Sequence, residues 1–100
     1  MRKILLVCSA GMSTSMLVKR VQDAAKIQNY EIEIDAFSIS QARTIGHKWD
    51  VILLGPQVRY LLKEMKASFP NKPVEAIEMR TYGRMDGEAV LRLAKTLLGD

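Results

Sequence analysis

One side chain of this sequence stands out as a nucleophile: Cys8, the only cysteine. It closes the apolar run Ile4-Leu5-Leu6-Val7 and is followed at once by Ser9-Ala10-Gly11-Met12-Ser13-Thr14-Ser15. Behind these small and hydroxyl residues a helical period begins, with Leu17, Val21, Ala24 and Ala25 on one face. Strand, small-residue loop, helix start: that order aims successive backbone N–H groups at one point, with the positive helix end behind them. Such a loop cradles an anion, and the same fixed dipoles stabilise a thiolate. Residues 9–15 are therefore expected to bind phosphate and Cys8 to accept a phosphoryl group. A lone cysteine at a strand end is more commonly a small buried hydrophobe. Here the hydroxyls and backbone freedom that follow it exceed what a tight strand–helix turn needs.

Other phosphate chemistries fit poorly. Neither G-x-x-x-x-G-K-[ST] nor G-x-G-x-x-G occurs, which removes the nucleotide and dinucleotide signatures. Receiver domains of two-component signalling need acids at the ends of the first and third strands, where this chain has Cys8 and Gly55. A small cysteine phosphatase or arsenate reductase needs C-x5-R-[ST], whose arginine clamps phosphate in a bidentate fork. Thr14 occupies the arginine position. A loop that holds a thiophosphate without hydrolysing it suits a carrier. A single cysteine excludes an internal disulfide and a multi-cysteine zinc site, and no metal or other cofactor is expected. His47, the only histidine, falls in a helical pattern away from Cys8 and reads as a solvated surface group. Gln57 and Arg59 lie just past a central strand and can approach the loop. Tyr82 to Gly87 supplies either one wall of the site or a plain glycine turn and helix cap. Met12, Met79 and Met85 offer adaptable apolar contacts on the same side.

Positioning Cys8 falls to a regular alternation of strands and helices. Glu31 to Phe37 alternates polar and apolar, as an edge strand does, and Val51-Ile52-Leu53-Leu54 is apolar throughout, as a central one is. Between them Ser38 to Trp49 reads as one short helix with Ala42, Ile45 and Trp49 inward. Gly55-Pro56-Gln57 is a turn, followed by a helix with Leu61, Leu62, Met65 and Phe69 inward that stops before Pro70. Val74 to Ile77 forms the other edge strand. Glu78 to Asp86 is a longer loop, and Asp86 caps a last helix with Val90, Ala94, Leu97 and Leu98 inward. Right-handed crossovers then give one α/β domain over residues 1–100: an open four-stranded parallel sheet, order 2-1-3-4, with helices on both faces. This is the flavodoxin-like core shared with low-molecular-weight cysteine phosphatases. Its switch point lies between strands one and three, where ligands bind in open sheets, and Cys8 and Gly55 both fall there.

Bulk properties agree. In 100 residues, 48% are hydrophobic and 26% charged, as in an ordinary globular domain. The net charge of +4 is spread evenly, +2 in each half, with no basic run that would mark a nucleic-acid binder. The apolar run after Met1-Arg2-Lys3 is too short for a signal peptide or membrane span, so a cytoplasmic monomer is expected.

Cys8-Ser9-Ala10-Gly11-Met12-Ser13-Thr14-Ser15, Leu53-Leu54-Gly55-Pro56-Gln57, Asn71-Lys72-Pro73-Val74-Glu75, Tyr82-Gly83 and Met85-Asp86-Gly87 together resemble one family. It is the enzyme IIB component of the bacterial phosphoenolpyruvate-dependent sugar phosphotransferase system, of the lactose/cellobiose/chitobiose type. The resemblance implies that Cys8 takes a phosphoryl group from a phosphohistidine of enzyme IIA. It then passes the group to a sugar, a β-linked disaccharide such as cellobiose, chitobiose or lactose, moved by the membrane component, enzyme IIC. Both partners are expected on the face of Cys8, meeting Met12, Gln57, Val58 and Tyr82. Arg59, Arg80 and Arg84 have no assigned role.

Overall fold

In the computed structural model, which describes residues 1–8 and 12–100 and only the backbone of 12–14, five helices and four strands follow one another along the chain. The strands are β1 (Arg2–Val7), β2 (Ile32–Phe37), β3 (Val51–Leu54) and β4 (Val74–Ala76). The helices are α1 (Met12–Ile27), α2 (Ile39–Ile45), α3 (Leu62–Ser68), α4 (Met79–Gly83) and α5 (Gly87–Leu98). All pairings are parallel, and the sheet order is β2-β1-β3-β4, as the alternation requires. Leu6 stands between Ala36 and Leu53 in the register.

The pleat divides the central strands between two cores. Ile4, Leu6, Val51 and Leu53 face α1 and α5, packing on Leu17, Val21, Val90, Leu91 and Ala94. Leu5, Val7, Ile52 and Leu54 face the opposite layer, with Ala42, Trp49, Val58 and Met65. Most of these side chains are fully buried, each worth roughly 1.5–3 kcal/mol of removal from water. α5 begins at the expected cap: Asp86 Oδ1 accepts from the Ala89 N–H at 3.1 Å. It ends at Gly99 in the left-handed region (φ 78°), where a residue without a Cβ fits. Gly87, its first residue, meets α1 backbone to backbone. A Cβ there would lie 2.3 Å from the Arg20 carbonyl carbon and 2.6 Å from the Val21 nitrogen.

Several boundaries differ from the sequence reading. α1 starts at Met12, so Met12 to Ser15 form its first turn and not a loop ahead of it. The second helix splits: after α2 the chain tightens into a 3-10 turn, Gly46–Lys48, and Phe69 packs into the space where a Cβ of residue 46 would sit, 2.5 Å away. After Gly55 a 3-10 stretch, Pro56–Leu61, kinked at Val58, precedes α3. Pro56 suits its first position, where no N–H partner is needed. The loop after β4 contains α4, pinned by the buried Tyr82. β4 stops at Ala76, although the Ile77 N–H still donates to the Leu54 carbonyl at 2.8 Å.

Both outer strands close their open edge with their own acids. Phe37 faces β1, since its carbonyl accepts from the Cys8 N–H, so by alternation Ala36 points outward. The Ala36 N–H donates to Asp35 Oδ1 at 2.8 Å. On the far side the Ala76 N–H donates to Glu75 Oε1 at 3.1 Å. At the amino ends of the strands, Asp100 receives the Arg2 guanidinium in a fork, at 2.8 and 2.9 Å, and the Tyr30 hydroxyl.

Candidate functional site

Cys8 is 4% exposed and immediately follows β1, the inner strand whose neighbours on either side are β2 and β3. Its N–H donates to the Phe37 carbonyl at 3.1 Å, one residue beyond the β1–β2 ladder. On the other flank the Gly55 N–H donates to the Val7 carbonyl at 2.8 Å. Cys8 is thus held at the switch point of the sheet, where connections leave to opposite faces. Four residues later α1 begins. The N–H groups of its first turn have no partner within the helix, and no acid stands in that turn to compete for them. A 16-residue helix ending here puts its positive pole on the Cys8 side of the sheet.

Gly55 shows how closely the neighbouring segments converge. A Cβ at this position would lie 2.9 Å from Gln57 Oε1, 3.4 Å from the Val7 carbonyl oxygen and 3.5 Å from Tyr82 Cε2. Three parts of the chain therefore meet beside the end of β1: the Gly55–Gln57 turn, the ring of Tyr82 from α4, and the peptide just before Cys8. A side chain here would push aside the Gln57 amide, the movable end of a flexible side chain.

The expected site residues are placed as follows. Ser9, Ala10 and Gly11 lie outside the described residues, as do the side chains of Met12, Ser13 and Thr14. Ser15 is exposed on the first turn of α1. Gln57 is exposed at the rim. Val58, at 3% exposed, and Tyr82, at 7%, are turned into the two cores and support this face from beneath. His47 is exposed on the 3-10 turn that leads into the amino end of β3, away from Cys8. Arg59, Arg80 and Arg84 are exposed on the segments after β3 and β4. Met85 is half-buried with φ 53°. Tyr60 was not singled out from the sequence, because an isolated tyrosine beside Leu61 and Leu62 reads as part of a helix. It is 77% exposed, and Met79 is 67% exposed.

A concavity lies elsewhere. About 710 Å³, it is lined by Met1, Gln22, Lys26, Asn29 and Tyr30 at the amino end of the sheet, beside the Arg2–Asp100 fork. There the Arg2 hydrogen bonds hold the Asp100 carboxyl down at about 2. Partial burial, with the bond to Asp100, pushes the Tyr30 hydroxyl up to about 12. Among the described residues no three His, Cys, Asp or Glu side chains come together as metal ligands, and no helix is long and apolar enough to cross a membrane.

A parallel 2-1-3-4 sheet with helices on both faces, a cysteine at its switch point and a helix beginning four residues later define a small single-domain α/β fold of the flavodoxin-like kind. The chain belongs to the family of lactose/cellobiose-specific IIB subunits of the sugar phosphotransferase system, which it matches over residues 3–93. It is 40% identical to the oligo-β-mannoside-specific EIIB component of Bacillus subtilis (strain 168) over 98% of this chain and 97% of that one. It is 42% identical to the cellobiose-specific EIIB component of Lactococcus lactis subsp. lactis, over 95% and 94%. The solved structure of a cellobiose-specific IIB component from Borrelia burgdorferi, 40% identical, superposes with a TM-score of 0.82 over 98% of this chain and 92% of that one. The lactose-specific IIB domain from Streptococcus pneumoniae shares the fold at a TM-score of 0.84 over 96% of each chain, with 19% identity. The protein is thus a sugar-specific phosphotransferase component of the IIB type.

Proposed function

We propose that Cys8 is the phosphoryl acceptor: it takes the group from a phosphohistidine of enzyme IIA and yields it to a sugar bound by enzyme IIC. The observation that carries this reading is the place of Cys8, at the end of a central strand and four residues before the N-terminus of α1. In the first step the Cys8 thiolate attacks phosphorus in line. The P–N bond breaks as the P–S bond forms, and the imidazole leaves with the electron pair. In the second step a sugar hydroxyl attacks and gives up its proton to solvent as the O–P bond forms, the P–S bond breaks, and the thiolate is regenerated as leaving group. Main-chain N–H groups of residues 10–15, with the Ser13 and Thr14 hydroxyls, receive the phosphate oxygens. With Thr14 in place of a clamping arginine, the group is held loosely enough to be passed on.

Residues 1–100 act as one IIB phosphocarrier domain, monomeric, in the cytoplasm, where a lone reactive thiol stays reduced. The sugar is a β-linked disaccharide such as cellobiose, chitobiose or lactose. Relatives named for oligo-β-mannoside, galactose and cellobiose stand at 40%, 42% and 42% identity, so overall likeness favours no one of those names. The choice of sugar falls to the membrane component. Incubation with phosphorylated enzyme IIA is expected to raise the intact mass by one phosphoryl group, and Cys8→Ser to abolish the gain. A Cys8→Ser variant that still acquires the group by transfer would refute the assignment.

A further inference from the structure

Among the described residues, two that are not glycine have a left-handed backbone, Asn29 and Met85, both at φ 53°. Asparagine adopts that conformation readily. An apolar side chain seldom does, and such strain persists only where surrounding contacts fix it. At Met85 two hydrogen bonds close the end of α4. The Met85 N–H donates to the Tyr82 carbonyl at 3.0 Å, and the Asp86 N–H donates to the Thr81 carbonyl at 3.1 Å. This is the pairing of a helix C-terminus whose left-handed position is usually glycine. Glycine would fit with less strain, so what methionine adds at this point is its side chain.

That side chain is half-buried and packs against the core that α1 and α5 share with Tyr82. It borders one hollow with Arg20, Ala24 and Ile27 of α1. Just beyond it Asp86 caps α5, and Gly87 meets the α1 backbone, so the α4–α5 joint rests on α1. Three residues before it, the Tyr82 ring reaches the Gly55 turn, where a Cβ would stand 3.5 Å from Tyr82 Cε2. The Gly55 N–H in turn donates to the carbonyl of Val7, the residue before Cys8. α1 is one 16-residue helix that begins four residues after Cys8. A closed path therefore runs from the first turn of α1 along that helix to Met85, through Tyr82 to the Gly55 turn, and back to Cys8.

We infer that Met85 is a positioning residue for phosphoryl transfer, an inference that rests on the assignment of Cys8 as acceptor. Its side chain keys the α4–α5 joint onto α1 and so fixes the Gly55 turn relative to the helix end beside Cys8. The two walls must keep their spacing while the group enters and leaves in line, because a misplacement of roughly 1 Å at a reacting centre can cost about 100-fold in rate. Removing the side chain leaves the bend, which glycine tolerates, but lets α4 shift and carries Tyr82 with it. A methionine that merely filled the core would change stability and leave the transfer step alone.

The test compares Met85→Gly with Met85→Leu in rapid-quench kinetics of Cys8 phosphorylation by phosphorylated enzyme IIA, at a temperature where circular dichroism shows each variant folded. Met85→Gly is expected to lower the rate at saturating donor by about tenfold and to leave the half-saturating donor concentration unchanged. Met85→Leu keeps an apolar side chain of similar volume and is expected to hold the parent's rate. Met85→Asn, which also accepts the left-handed backbone, is expected to repeat the glycine result and replaces that variant should it not fold. In amide spectra of the labelled protein, Gly55 is expected to shift in Met85→Gly and to stay in place in Met85→Leu. A parent-like rate in the glycine or asparagine variant, equal slowing in Met85→Leu, or a change in half-saturation alone would overturn the inference. Absence of phosphorylation in the parent protein would sink the Cys8 assignment instead. The tie from Met85 to the Gly55 turn is then judged by the spectra: a Gly55 shift in Met85→Gly supports it, and shifts confined to residues 84–88 overturn it.

Discussion

Replacing Gly87 with alanine adds one methyl group at the point where α5 meets α1. The added carbon would stand 2.3 Å from the Arg20 carbonyl carbon, 2.4 Å from its oxygen and 2.6 Å from the Val21 nitrogen. All three are main-chain atoms inside a helix, so no rotamer change can make room. α5 must back away, loosening Val90, Leu91 and Ala94 from Leu17 and Val21. Overpacking of this kind costs typically about 1–3 kcal/mol, and the opposing gain from alanine's helix preference is at most about 1 kcal/mol. A net loss of about 1–2 kcal/mol follows, which in a domain of this size lowers the melting temperature by roughly 4–10 °C. Thermal melts followed by circular dichroism measure it directly. A melting temperature within about 2 °C of the parent protein would show that the helices are not in contact at this point and refute the reasoning.

Gly55→Ala should behave oppositely. Its closest contact is the movable Gln57 side chain, so stability should change by less than about 1 kcal/mol while transfer slows; an unchanged transfer rate would separate Gln57 from the site. The Arg2–Tyr30–Asp100 group sets two pH limits. The depressed carboxyl of Asp100 adds stability that is complete above its ordinary value of 3.8 and fades as pH falls toward about 2, and Asp100→Asn should remove that acid-side slope in urea titrations. The raised hydroxyl of Tyr30 adds stability that is complete below 10 and fades as pH climbs toward about 12, and Tyr30→Phe should flatten that alkaline limb.

Much of this fold was legible because burial writes itself into strand composition. Val51 to Leu54 is apolar at every position because both faces are covered, and Glu31 to Phe37 alternates because one face is wet. Those two patterns ordered the sheet, and the order placed Cys8. What stayed hidden depends on contacts between distant residues. The break falls at Gly46, and that its missing Cβ makes room for Phe69, 23 residues further on, is visible only in the fold. α4 is too short to show a period, and its anchor, Tyr82, is recognisable only once the Gly55 turn is beside it. Val58 and Tyr82 looked like surface because turns usually are; instead the kink at Val58 and the packing of α4 turn them inward. Tyr60 and Met79 are left exposed instead, which no pattern of neighbours could reveal.

The acids that cap Ala36 and Ala76 bear on how this protein keeps company. An open sheet offers two unfinished borders, and main-chain pairing along either would be slow to undo. With Asp35 and Glu75 occupying outward N–H groups, lateral growth of the sheet meets a filled donor and a negative charge on each side. A relay that must meet one protein, part from it and meet another is served by that refusal. Crowding many copies together therefore offers no easy seam along which they would join.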